Sequence, residues 1–207
     1  MTFMAFFVAI LIIVIIFVSV SNGHKKQALT KYEKVNSFII SKYTNFDKAF
    51  YLNTNLSFDK NELCKLLFLV DTKAKQIGLI DYEKSNIVCV DFKDIINYEI
   101  YENGTLVTTG VGGGVRAGIG IGVGIGAYTS NTTSAVRELR LIVRINNITY
   151  PQIAYDLVFK TLAINWNNNK GVEKNSVEYA DMISSLQQVV SFLEIVMHEN
   201  KKDGKNE

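Results

Sequence analysis

The chain is poor in the residues on which most site chemistry depends. Its 207 residues include two histidines, His24 and His198, two cysteines, Cys64 and Cys89, one tryptophan and one proline. Neither histidine has a Cys, Asp or Glu at metal-ligand spacing, so no metal site is expected. The patterns G-x-S-x-G and H-E-x-x-H are absent, and with them the nucleophile-elbow and zincin chemistries. No Gly-Lys-Ser/Thr follows the glycine-rich stretch, which excludes a Walker loop. A net charge of +2 provides no strong field for nucleic acid. The cysteines sit in apolar contexts, ELCKLLF and NIVCVDF, and read as buried free thiols in a reducing compartment. These absences together point to a protein that is not an enzyme, with no catalytic, cofactor-binding or metal-binding residues.

Charge is also missing from the beginning of the chain: no Asp, Glu, Lys or Arg precedes Lys25. What stands there instead is FMAFFVAILIIVIIFV, from Phe3 to Val18, with Val20 just beyond Ser19. At about 1.5 Å rise per residue, a stretch near twenty residues crosses a hydrocarbon core of about 30 Å. Leu, Ile, Phe and Val contribute roughly −0.3 to −0.6 kcal/mol each at mid-helix, about −4 to −8 kcal/mol over the run. The run therefore reads as a single-pass anchor over residues 1–21, with Phe3, Phe6, Phe7, Ile10, Leu11, Val14, Phe17 and Val18 among its lipid-facing residues. The basic n-region of a cleaved signal is absent, and the run exceeds the usual apolar length of one. His24, Lys25, Lys26, Lys31 and Lys34 follow closely, which by the positive-inside bias places the C-terminal part in the cytoplasm. Lys25 and Lys26 are the expected membrane-surface residues, each gaining about 1 kcal/mol from anionic lipid. Four N-x-S/T matches, beginning at Asn55, Asn103, Asn131 and Asn147, carry no meaning in a cytoplasmic domain.

Residues 22–45 form a linker. Leu29, Tyr32, Val35, Phe38 and Ile39 recur at spacings of three and four, the pattern of an amphipathic helix leaving the membrane. From Phe46 the period becomes two. Strands are predicted at about Phe46–Leu52, Leu66–Asp71, Gln76–Asp81, Ile87–Asp91, Ile95–Tyr101, Leu106–Thr109, Val136–Ile145 and within Ile148–Leu157. Turn chemistry separates them at Asp71–Lys75, Asp81–Asn86 and Glu102-Asn103-Gly104. Asp71, Asp81, Asp91 and Asp94 read as solvated turn residues, and Glu99 lies on the exposed face of its strand. Lys73, Lys75 and Lys84, on two turns, are candidates to face one way. Ala163–Asn175, which holds Trp166, reads as an Asn-rich loop. Ser176 caps a long helix reaching about Asn200, with Val177, Ala180, Ile183, Leu186, Val190, Leu193 and Met197 as its apolar stripe. Residues 201–207 read as a disordered tail.

A glycine-rich block at 110–127 interrupts the strands. Gly110, Gly114, Gly118, Gly122 and Gly126 fall four apart and would line one face of a helix as a small-xxx-small zipper. On a strand the glycines would instead share one face, opposite Val111, Val115, Ile119, Ile121, Val123 and Ile125. Periodicity does not separate the two. Arg116 costs about +2.5 to +3.5 kcal/mol at mid-membrane, which cancels the gain from the Val and Ile residues, so independent insertion is not expected. The readings left open are a loop between strands, a self-associating or membrane-dipping zipper, and a phosphate loop. The last rests on Gly122-x-Gly124-x-x-Ala127, which lacks a βαβ setting.

The segments KLLFLVDTKAKQIGLID, IVCVDFKDIINYEIYENGTLV and SVEYADMISSLQQVVSFLEIVMHEN resemble a family of uncharacterised bacterial membrane-anchored proteins with a pleckstrin-homology-like domain carrying a glycine-rich insertion. Asp71, Lys73, Lys75 and Ile77 match one pattern of that family, and Phe92, Asp94, Ile95, Glu99 and Ile100 another. The resemblance covers roughly Phe46 to Asn200. It implies an α+β fold in which about seven antiparallel strands form a curved sheet or barrel capped by a long C-terminal helix. It also implies a binding or scaffold role without a lipid site. The expected partners are the lipid bilayer, a second copy through the glycine-rich segment, and an unidentified protein. The alternative function is a membrane-active protein whose glycine segment perturbs a bilayer.

Overall fold

The computed structural model describes residues 30–57, 63–111, 114–117, 135–158 and 171–203. The anchor at 1–21 and the linker up to residue 29 lie outside the described residues. Among those described, no helix is long and apolar enough to cross a membrane.

The described chain opens with helix α1 (30–42). An antiparallel meander follows: β1 (Lys48–Ser57), β2 (Leu63–Asp71), β3 (Gln76–Asp81) and β4 (Asn86–Asp91), paired in that order. A 3-10 turn at Phe92–Asp94 leads into β5 (Ile95–Glu102), β6 (Thr105–Val111) and β7 (Gly114–Ala117). Then come β8 (Ala135–Val136), β9 (Leu139–Ile145), β10 (Gln152–Asp156), β11 (Val172–Glu173) and helix α2 (Val177–Asp203). The second sheet runs β10-β9-β5-β6-β7, and β8 pairs with β11 as a short ribbon. The protein is thus α+β, with antiparallel sheets capped by the C-terminal helix.

Local chemistry sets the turns. The Asp71 carboxylate accepts the N–H groups of Lys73 at 3.0 Å and Ala74 at 2.8 Å, and Asp81 does the same for Glu83 and Lys84 at 3.1 Å each. Both turns then use a left-handed residue, Lys75 or Ser85, to re-enter the sheet. The β5–β6 hairpin has Asn103 at φ 51° and Gly104 at φ 77°, the paired positive values that a two-residue hairpin requires.

The run Leu66–Val70 is buried at every position, which an alternating half-buried strand would not be. Leu66, Phe68 and Val70 enter the main core between the sheets. Leu67 and Leu69 face the other way, where Val35 and Ile39 of α1 close over them together with Ile80. The amphipathic stripe of α1 therefore has a definite partner, the outer face of the first sheet. On the opposite side α2 packs on β1, β5 and the 3-10 turn. There Phe192 meets Phe50, Phe68 and Phe92 at ring-centroid distances of 5.4, 6.2 and 5.7 Å. Ser176 caps α2, its hydroxyl accepting Tyr179 N–H at 3.1 Å.

Several expectations are corrected. Eleven strands are present among the described residues where about seven were expected; β7 and β11 have no expected counterpart, and the expected Val136–Ile145 strand is divided into β8 and β9. β11 falls inside the expected Asn-rich loop, held by pairing with β8. α2 runs to Asp203, through the first residues of the expected tail, because buried Val196 and Met197 and the bond from Asn200 Nδ2 to Phe92 O (2.7 Å) fix its last turns. Cys64 is buried, but Cys89 is exposed on β4, the end strand of its sheet.

Candidate functional site

The described structure brings the expected site residues together only in part. The anchor residues, Lys25 and Lys26 lie outside the described residues, as do Gly118, Gly122, Gly126 and Trp166. Gly110 stands in β6 and Gly114 in β7, on neighbouring antiparallel strands. These two glycines do not share a helix face, because the hairpin that starts at Asn103-Gly104 carries the ladder through Val111 and back. Gly110 has a packing role: a methyl group there would stand 2.0 Å from Tyr98 Cε1. Lys73 and Lys75 lie at one end of β3 and Lys84 at the other, as successive turns of a meander must, so the three do not form one patch. Lys84 is instead 4.6 Å from the centroid of the Tyr150 ring and pairs with Asp81. Glu99 points outward as expected. It is nevertheless only 13 % exposed, gripped by Arg144 Nε at 2.9 Å and Nη2 at 3.0 Å and by the Tyr101 hydroxyl at 3.1 Å. Arg144 holds the Glu99 carboxyl below its ordinary value by these hydrogen bonds.

Two grooves, neither anticipated from the sequence, are the candidate sites. The first, about 310 Å³, lies between the N-terminal half of α2 and the β5–β6 hairpin. Ile100, Val107, Leu139 and Ile183 make it apolar. At one end Glu102 accepts the Tyr179 hydroxyl at 2.9 Å and pairs with Lys174, so the charge nearest the groove is already neutralised. Chemically this groove suits an apolar side chain or an acyl segment.

The second groove, about 380 Å³, is polar and lies beside the N-terminal end of α1. Its origin is a gap in the first sheet. Pairing between β2 and β3 stops at Phe68–Leu79, so Leu67 N–H and Ile80 N–H have no partner across that ladder. Two tyrosine hydroxyls take their place. Tyr82 accepts Leu67 N–H at 2.6 Å and donates to Asn36 Oδ1 of α1 at 2.7 Å. Tyr155, from β10, accepts Ile80 N–H at 2.9 Å. Burial pushes both phenols well above their ordinary value, so they remain protonated at any physiological pH. The groove opens over this gap, with Asp81, Tyr82 and Glu83 on one wall and all five residues of β10 on the other.

Comparison with known proteins finds no matching family model, no matching curated protein and no matching solved structure.

Proposed function

We propose that this chain is a non-enzymatic, single-pass membrane protein that presents a pleckstrin-homology-like binding domain at the cytoplasmic face. The observation that carries the reading is the docking of α1 on the first sheet. The apolar run ends at Val20, and by residue 30 the chain is already in a helix whose Val35 and Ile39 are part of a core. A domain that begins so soon after an anchor is held close to the bilayer, which raises its effective concentration towards membrane-bound partners. The pleckstrin-homology-like reading is supported by the four-stranded meander facing β5, β9 and β10, with α2 across the open end. On that reading the β6–β7 hairpin and the glycine-rich block are an insertion between β5 and β9.

The test is extraction of the full-length chain from membranes with alkaline carbonate. The chain is expected to stay in the pellet, and the pair Ile10→Lys and Val14→Lys is expected to release it. Release of the unaltered chain overturns the anchor. Protease digestion separates the two orientations: the domain is expected to be cut in inverted vesicles and spared in right-side-out ones, and the reverse pattern overturns the cytoplasmic placement.

A further inference from the structure

The polar groove is walled on one side by a strand with only one partner. β10 ends the five-stranded sheet, pairing with β9 and, among the described residues, with no other strand. Which of its backbone groups are used follows from the register. Ile145 N–H donates to Pro151 O at 3.0 Å and Leu157 N–H to Leu139 O at 2.8 Å. Both pairs belong to the single β9–β10 register, in which Gln152 faces Arg144 and Asp156 faces Arg140. Hydrogen-bonded pairs alternate along an antiparallel ladder, so Ile153 and Tyr155 bond to β9. The N–H and C=O groups of Gln152, Ala154 and Asp156 are directed the other way, along the groove wall.

The groove lining is net acidic. Its lining carries three carboxylates, Asp81, Glu83 and Asp156, against one guanidinium, Arg140. Arg140 is already engaged, bonded to Asp156 and 3.7 Å from Glu138. Glu83 is exposed at the rim and makes no side-chain bond within the described structure, while Asp81 spends Oδ1 on its turn and pairs through Oδ2 with the exposed Lys84 at 3.7 Å. An unused strand edge with an uncompensated carboxylate, Glu83, at its rim defines an occupant that can supply both a backbone ladder and a cation.

We propose that the β10 groove binds an extended peptide segment that adds to the second sheet along Gln152–Asp156 and directs a Lys or Arg side chain at Glu83. The five residues of β10 offer about 16 Å of edge, at roughly 3.3 Å per residue. Backbone bonds to Gln152, Ala154 and Asp156 supply affinity, and Glu83 at the rim selects the basic side chain. This goes beyond the tethered-module reading by naming the partner class, and it does not depend on the anchor.

The test uses the full-length chain in neutral detergent micelles and a fluorescent, capped Lys-Val-Lys-Val-Lys-Val peptide, followed by anisotropy. The peptide is expected to bind, and its Glu-Val-Glu-Val-Glu-Val counterpart to bind at least about tenfold more weakly. Ala154→Pro removes one free donor from an edge strand, where proline is tolerated, and is expected to weaken binding by about tenfold with little change in the thermal midpoint. Methylating alternate backbone nitrogens of the peptide has the same expected effect on the unaltered protein, so the outcome does not hang on how the proline variant folds. Glu83→Lys is expected to reduce the preference for the basic peptide. Equal binding of the methylated peptide, or of the acidic one, overturns the proposal, as does no binding at millimolar peptide. A chain that leaves the membrane in carbonate yet binds the peptide refutes the anchor alone.

Discussion

Tyr98 covers Gly110. The ring lies across the β6 backbone with its hydroxyl donating to Glu194 Oε1 at 2.7 Å, and a methyl group on residue 110 would stand 2.5 Å from Cζ as well as 2.0 Å from Cε1. Tyr98 is fully buried, so the ring has nowhere to retreat without breaking its bond to α2. Gly110→Ala is expected to cost about 1–3 kcal/mol in urea unfolding, the range for overpacking a core. In a Tyr98→Leu background the same substitution should cost markedly less, since the two residues share one contact. Gly104→Ala, where no atom stands within 4 Å, is the control; only its φ of 77° penalises a side chain, and about 1 kcal/mol is expected.

Removing either tyrosine hydroxyl at the β2–β3 gap strands a backbone donor. Tyr155→Phe leaves Ile80 N–H without its acceptor in the core, and Tyr82→Phe leaves Leu67 N–H and Asn36 Oδ1 unmatched. Each is expected to cost about 1–3 kcal/mol. Hydrogen exchange separates this from a simple packing loss: the Ile80 amide should lose protection in Tyr155→Phe, and the Leu67 amide in Tyr82→Phe.

Two carboxylates tie stability to pH. Glu99 is held below its ordinary 4.5 chiefly by hydrogen bonds from Arg144, and Asp47 below its ordinary 3.8 chiefly by the Thr72 hydroxyl and then its N–H. A folded-state value below the unfolded one contributes stability above the unfolded value, and that contribution is lost as pH falls through the folded value. Thermal midpoints should therefore drop below about pH 4.5, and the Glu99→Gln variant should show a shallower drop while starting lower by up to about 1 kcal/mol at neutral pH. A profile in Glu99→Gln parallel to that of the unaltered protein would refute the linkage.

The two thiols should react at different rates. Burial raises both thiols, that of Cys64 to about 11, but Cys89 is exposed on β4 whereas Cys64 is buried. At pH 8 a maleimide is expected to label Cys89 quickly and Cys64 only as the protein unfolds. Mass mapping of the labelled peptides checks the assignment.

Removing the α1 contact should expose the outer face of the first sheet. Ile39→Ala is expected to destabilise by about 2–4 kcal/mol, the usual cost of emptying a buried isoleucine site. If Ile39→Ala leaves the urea midpoint unchanged, α1 is not part of the folded unit.

What the sequence made legible was local. Gln76–Asp81 has the boundaries expected of it, and Asp71, Asp81 and Asn103-Gly104 turn the chain where their side-chain and φ preferences say they should. Leu139, Leu141, Val143 and Ile145 are buried on one face of β9 as their alternation required. Long-range partners were not legible. The stripe on α1 announced a covered face but not what covers it, although five consecutive apolar residues at Leu66–Val70 were a signal that β2 is enclosed on both sides. Gly110 could be placed on a strand or a helix equally well because its reason, Tyr98, lies twelve positions away on a neighbouring strand. The β10 groove depends on a ladder that stops early and on hydroxyls from distant tyrosines, which no periodicity encodes.

Asn103 also receives the chain on its return from the glycine-rich block. Its side chain accepts Arg137 N–H at 2.7 Å and donates to Ala135 O, while its own N–H donates to Glu138 O at 2.9 Å. Departure on β7 and return at Ala135 thus occur beside the same hairpin. Asn103 therefore works as a clasp: one side chain, set by the positive φ of its own turn, fixes where the chain re-enters the fold at Ala135–Glu138.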